Sequence, residues 1–154
     1  MKKKGFTLVE LLVVVVILAL ITTMGSVGLG SLKRIINNNL WNSNKDLIEN
    51  AAKRYCDDKK SQILKYDEVD GTCKIDNKDI KPCITIKVQD LLDKKYIISK
   101  EKIKHDNKEI KVIINQTVDK SNNENDNFNN GYYVNEKNVY IYIENNVCYS
   151  KYVE

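Results

Sequence analysis

At 154 residues, with 42% hydrophobic side chains, the chain holds one modest globular domain plus a long helix, and little more. Its formal charge of +4 sets 25 Lys and Arg against 21 Asp and Glu; without Lys2, Lys3 and Lys4 the balance is 22 against 21, a net of +1. A remainder so close to neutral gives no strong case for nucleic acid as an obligatory partner.

The first element is an apolar run. Between Phe6 and Leu32 only Glu10 is ionisable. A bilayer takes about 20 apolar residues, so the run predicts a single membrane pass. The three lysines before it place the N-terminus in the cytoplasm and everything after Leu32 outside. A secretory signal peptide fits poorly, because its core is about 7–15 residues and ends at a small-residue cleavage site. Here the run is longer, starts almost at once and carries an acid.

Beyond Leu32 the helical period continues through Leu40, Leu47, Ile48, Ala51, Ala52 and Tyr55, and no proline intervenes before Pro82. A helix from Phe6 to about Lys59 is expected, roughly 80 Å long at 1.5 Å per residue. Its apolar stripe calls for a sheet to pack on it. Asp57 to Asp79 reads as a connecting loop pinned by Cys73, with a reversal at Asp70-Gly71. Cys83 to Ile86 is β-prone, and Val88 to Tyr96 suits a short helix with Val88, Leu91, Leu92 and Tyr96 on one face.

Further on, Ile110 to Val118 alternates as a strand. Tyr132 to Asn135 and Val139 to Glu144 look like a hairpin around Glu136-Lys137-Asn138, and Val147 to Val153 like an edge strand. Asp119 to Gly131, dense in Asn and acids, is expected to be a mobile loop.

Cys56, Cys73, Cys83 and Cys148 are an even set, all beyond the apolar run. Two disulfides are the natural reading, with three pairings open. A zinc site competes weakly: there is no C-x2-C pair, and His105 is the one histidine.

The constellation that carries chemistry is Lys2-Lys3-Lys4-Gly5-Phe6-Thr7-Leu8-Val9-Glu10. It resembles the prepilin leader and helix start shared by type IV pilins and by the pseudopilins of type II secretion and competence systems. The close match covers about the first 25 residues. The resemblance implies an α+β pilin fold: a long N-terminal helix whose outer half packs on a small antiparallel sheet with disulfide-tied loops. It divides the chain into a leader (1–5), a transmembrane and assembly half-helix (6–32), an amphipathic half-helix (33–60) and a small sheet domain (61–154).

The resemblance also implies a route. A prepilin peptidase cuts between Gly5 and Phe6 and N-methylates Phe6. Glycine suits that bond because an extended backbone there meets no side-chain clash in a protease cleft. The subunit waits in the cytoplasmic membrane, then an assembly platform and ATPase extract it into an extracellular filament with other subunits. Glu10 answers the new amine of a neighbouring Phe6; burying a carboxylate in an apolar helix otherwise costs several kcal/mol. Snorkelling of Glu10 to the headgroups is the plainer alternative.

Gly25, Gly28 and Gly30 stand where many pilins have a proline. Each weakens a helix by roughly 1 kcal/mol against alanine, so the stretch is either pliable or a close-packing surface.

The leading function is a pilus subunit serving adhesion or motility. Two others stand beside it: a pseudopilin for secretion or DNA uptake, where nucleic acid would be a partner, and a monomeric, membrane-anchored binding module. Tyr132, Tyr133, Tyr140, Tyr142, Tyr149 and Tyr152 form either an adhesive face or, more commonly, sheet core. Asp119, Glu124 and Asp126 offer oxygens but no calcium-ligand spacing. The lysines from Lys94 to Lys111 alternate with Asp93, Glu101, Asp106 and Glu109 as an ordinary solvated face. No catalytic set and no cofactor motif emerges, so an enzyme is not expected.

Overall fold

The computed structural model describes residues 8–64 and 72–153, with the side chains of 21–29 left aside. The leader, the Gly5–Phe6 bond and the Asp70-Gly71 reversal lie outside the described residues. The elements run α1 (Leu8–Ile63), β1 (Cys73–Ile75), β2 (Lys78–Ile80), β3 (Cys83–Lys87), α2 (Val88–Asp93), β4 (Lys102–His105), β5 (Lys108–Lys111), α3 (Glu124–Asn129), β6 (Asn138–Glu144) and β7 (Val147–Tyr152). The chain divides after Asn37 into two compact units.

The first unit is, among its described residues, the opening of α1. The helix passes unbroken through Gly25, Gly28 and Gly30. From Leu8 to Leu20 every described side chain is exposed. One expectation is corrected here. Among the described residues no helix is long and apolar enough to cross a membrane, which overturns the single-pass stage in the cytoplasmic membrane. The apolar run with described side chains, Leu8–Leu20, reaches about 20 Å at 1.5 Å per residue, against a hydrocarbon core of about 30 Å.

The second unit has the α+β architecture the sequence calls for. A three-stranded antiparallel sheet in the order β3-β6-β7 is joined by two separate hairpins, β1-β2 and β4-β5. In the sheet Cys83 pairs with Tyr142, and Tyr142 in turn with Tyr149. The rest of α1 lays Trp41, Ile48, Ala51, Ala52, Cys56 and Ile63 into one core with Val88, Leu91, Val139, Ile141 and Tyr152. Trp41 meets Tyr152 edge to face at 5.5 Å between ring centroids, a favoured geometry for aromatic pairs. Ser150 donates its hydroxyl to the Glu49 carbonyl, and the Tyr152 amide donates to the Glu49 carboxylate, which ties β7 to the helix.

Of the expected stripe Ile48, Ala51 and Ala52 are buried, while Leu40 and Leu47 are not, and Trp41, which the expected stripe left out, is. Leu40 and Leu47 are 48% and 42% exposed, while their neighbours Trp41 and Ile48 are buried. One residue is 100° of helix, so Trp41 and Ile48 share the face of Ala52, and the two leucines turn off it.

The cysteines pair as Cys56–Cys148 and Cys73–Cys83. The first bond joins α1 to β7; the second joins β1 to β3.

Several local expectations change. The connection after the helix begins later, because α1 runs to Ile63, whose side chain is buried in the core. The expected strand from Ile110 shrinks to β5 and a single bridge between Ile114 and Tyr133. The expected hairpin turn at Glu136-Lys137-Asn138 is absent; β6 turns instead at Asn145-Asn146 into β7. The segment read as a mobile loop contains α3, whose start is capped by the Asn123 side chain accepting from the Asn125 amide at 3.0 Å. Asn127, fully buried, exchanges hydrogen bonds with the Ser121 amide and carbonyl and fixes that loop.

Among the described residues the three hairpin turns use one device. Asp76-Asn77, Asp106-Asn107 and Asn145-Asn146 each hold two consecutive residues at positive φ. Such pairs match the right-handed twist of a hairpin, and Asn and Asp tolerate the left-handed region better than other non-glycine residues.

Candidate assembly surface

The first unit presents one kind of surface. Each of Leu8, Val9, Leu11 to Leu18 and Leu20 is at least 45% exposed. Val13 to Ile17 are β-branched and stiff at χ1, so they offer a preset surface with little rotamer freedom to lose on packing. Glu10 sits exposed in the first turn of α1, where the helix dipole favours a negative charge. At Gly30 an added Cβ would meet nothing within 4 Å, so within the chain no side chain packs into that gap.

The second unit spends its aromatic residues mostly on packing. Tyr133 and Tyr152 are buried, Tyr132, Tyr140 and Tyr142 are half-buried, and Tyr149 is exposed. Tyr142 and Tyr149 stack on one another across the strand pair at 5.3 Å. An adhesive face of six tyrosines is therefore not assembled.

Burial, and then a hydrogen bond to Glu124, push the Tyr133 hydroxyl well above the usual phenol range. Tyr96 is raised by its hydrogen bond to Asp58 at 2.8 Å. Burial does the same for Tyr142.

Among the described residues no group of three or more His, Cys, Asp or Glu gathers to hold a metal ion. Asp119, Glu124 and Asp126 are not drawn together. Asp126 accepts from the Ser121 hydroxyl, while Glu124 faces Lys120 at 3.8 Å.

Strand register brings together residues that the linear sequence keeps apart. Lysines and acids alternate from Lys94 to Lys111, and the β4-β5 ladder sets Lys102 opposite Lys111 and Lys104 opposite Glu109.

Residues 1–26 match the family model of the prokaryotic N-terminal methylation motif. No curated protein and no solved structure matches the chain. This motif, typical of type IV pilin and pseudopilin prepilins, stands on a chain whose long N-terminal helix packs on a small antiparallel sheet with disulfide-tied loops, and the two together support membership in the type IV pilin and pseudopilin superfamily.

Proposed function

We propose that the chain is a structural subunit of a type IV pilus-like filament and not an enzyme. It is cleaved between Gly5 and Phe6, methylated on Phe6 by a prepilin peptidase, and polymerised through the opening of α1 with the help of an assembly platform and ATPase. One observation carries this reading: along Leu8–Leu20 the large apolar side chains on every side of the helix are exposed. Monomeric proteins rarely expose contiguous apolar patches beyond a few hundred Å². Fully burying one such side chain contributes about 1.5–3 kcal/mol, so packing against copies of the same helix is strongly favoured. A heterologous contact of this kind does not close on itself and grows into a filament.

Glu10 supplies the register. In a packed bundle of apolar helices its carboxylate needs a cation, and cleavage before Phe6 creates one on every subunit. Processing and assembly become one switch.

Mass spectrometry of the mature N-terminus tests the first step: methylated Phe6 is expected, and an intact Met1 or a cut well after Leu20 overturns the reading. For the second step, a Glu10→Val variant is expected to be processed normally yet left out of filaments formed beside the native chain. Peptide identification on purified, imaged filaments reads that outcome, and normal incorporation refutes the charge pair.

A further inference from the structure

We propose that Asn130-Gly131 is a site of spontaneous covalent modification, at which the chain closes a succinimide ring on itself and releases ammonia. Of the six glycines only Gly131 follows an asparagine. The fold explains why a glycine stands there. Asn130 is the C-cap of α3, and Gly131 takes a φ of +81°, the left-handed turn that ends a helix and that glycine adopts without strain. The same lack of a side chain leaves the Gly131 nitrogen unhindered as a nucleophile.

The surroundings favour closure. The Asn130 Oδ1 accepts from the Tyr132 amide at 2.9 Å. That bond closes a loop containing both the Asn130 Cγ and the Gly131 nitrogen, so electrophile and nucleophile are kept side by side. It also draws electron density away from Cγ. Asn130 is exposed, so water enters and ammonia leaves freely. Closure turns the Asn130 ψ away from its value of −6°. At the end of a six-residue helix that rotation breaks no interior turn, and Gly131 absorbs it.

Lys137 adds a positive charge. Its Nζ lies 4.0 Å, and its Cε 3.7 Å, from the place a Cβ would occupy on Gly131. The Lys137 backbone is held on both sides, its amide donating to the Val134 carbonyl and its carbonyl accepting from the Val88 amide. An ammonium so placed stabilises the negative charge that develops on the Gly131 nitrogen and the Asn130 oxygen during attack.

The steps need no co-reactant but water. The Gly131 nitrogen bonds to the Asn130 Cγ, the Cγ–Nδ2 bond breaks, and the Gly131 amide proton leaves with the ammonia. Water then opens the ring. Attack at Cγ restores the main chain with aspartate in place of the asparagine; attack at the backbone carbonyl routes the chain through Cγ as isoaspartate. The aspartate product loses the Nδ2 bond to the Asp119 carbonyl, 3.4 Å long, and sets a carboxylate near that oxygen. The isoaspartate product also lengthens the main chain between α3 and the buried Tyr133. Either product loosens the α3 segment and adds a negative charge to it.

The test uses the full-length chain in a neutral detergent, incubated at neutral pH in heavy-oxygen water and followed by mass spectrometry of its peptides. It reads the monomer, so it does not depend on the filament proposal. Closure followed by hydrolysis places heavy oxygen at position 130 and gives two isomeric products that chromatography separates. Conversion is expected at Asn130 ahead of every other asparagine, and no slower in the folded chain than in denaturant. Lys137→Gln should slow it about fivefold in the folded chain, the effect of one unit charge about 4 Å away in a water-like medium. Lys137→Arg should restore the rate, and in denaturant the three chains should react alike. Each of the following overturns the proposal: Asn130 left intact in the folded chain, another asparagine converting first, a product without the isoaspartate isomer, or a folded-chain rate that Lys137→Gln leaves unchanged or Lys137→Arg does not restore.

Discussion

The two units of the chain solve opposite problems with opposite compositions. The opening of α1 is apolar on every side, has one ionisable residue between Phe6 and Leu32, and holds no cysteine. The unit from Asn38 onward is rich in Lys, Asn and Asp, buries a thin core and carries both disulfides. On the filament proposal the first is covered by other subunits. The second holds itself together with limited apolar content and two covalent bonds. The proposal thus places assembly and stability in separate stretches of sequence, and substitutions should separate them in the same way.

The largest effect expected is on the bond that joins the helix to the last strand. Cys56 and Cys148 are 92 residues apart, so on the chain-entropy model their bond lowers the entropy of the unfolded chain by about 4.6 kcal/mol. Cys73 and Cys83, ten residues apart, give about 2.8 kcal/mol on the same model. Chemical denaturation of C56S/C148S should therefore show a larger loss than that of C73S/C83S. Equal losses would mean that local packing around each bond, and not loop length, sets its contribution.

Next in size is a pair of neighbours on α1. Ile48 is fully buried and Leu47 is 42% exposed. Ile48→Ala should cost about 2–5 kcal/mol and Leu47→Ala within about 0.5, measured by denaturant midpoint. If the two cost the same, the helix is rotated relative to the face described above.

Those neighbours also show what was legible in the sequence. The period of the stripe announced an amphipathic helix and a sheet to receive it, and both are present. Ile48, Ala51 and Ala52 lie in the core as the period predicts, but Leu40 and Leu47, at seven-residue spacing, look like core residues and are exposed, while Trp41, one step on from Leu40, is buried. Periodicity alone does not choose between two adjacent apolar rows; the position of the sheet does.

The turns teach the complementary lesson. The pairs Asp76-Asn77, Asp106-Asn107 and Asn145-Asn146 were visible, and their shared chemistry would have placed all three hairpins. Attention to the strand residues at Tyr132–Asn135 drew the turn to Glu136-Lys137-Asn138 instead. The Cys56–Cys148 bond depends on a contact 92 residues apart in sequence, which no local pattern encodes. The N-terminal motif is the reverse case: residues 1–26 match the prokaryotic N-terminal methylation motif through residue types in order, without any fold.

The smallest effect concerns pH, and it too should fall on the second unit alone. Tyr133 is buried beside Glu124, one of whose carboxylate oxygens is buried with no hydrogen-bond partner among the described residues. The folded state therefore holds the Tyr133 proton more tightly than the unfolded chain, where a tyrosine titrates near 10.0. A raised folded value means that this contribution is complete below about pH 10 and is lost as pH climbs through the folded value. The denaturant midpoint should be flat between about pH 7 and 9 and should fall above about 10. Tyr133→Phe should cost no more than about 1 kcal/mol at neutral pH. It should also flatten the alkaline fall, because a phenyl ring has no proton to lose. Tyr96 and Tyr142, raised in the same direction, keep part of that fall in the variant. A fall unchanged by Tyr133→Phe would assign it to those two residues, and would show that the Glu124 contact holds the α3 loop in place without coupling it to pH.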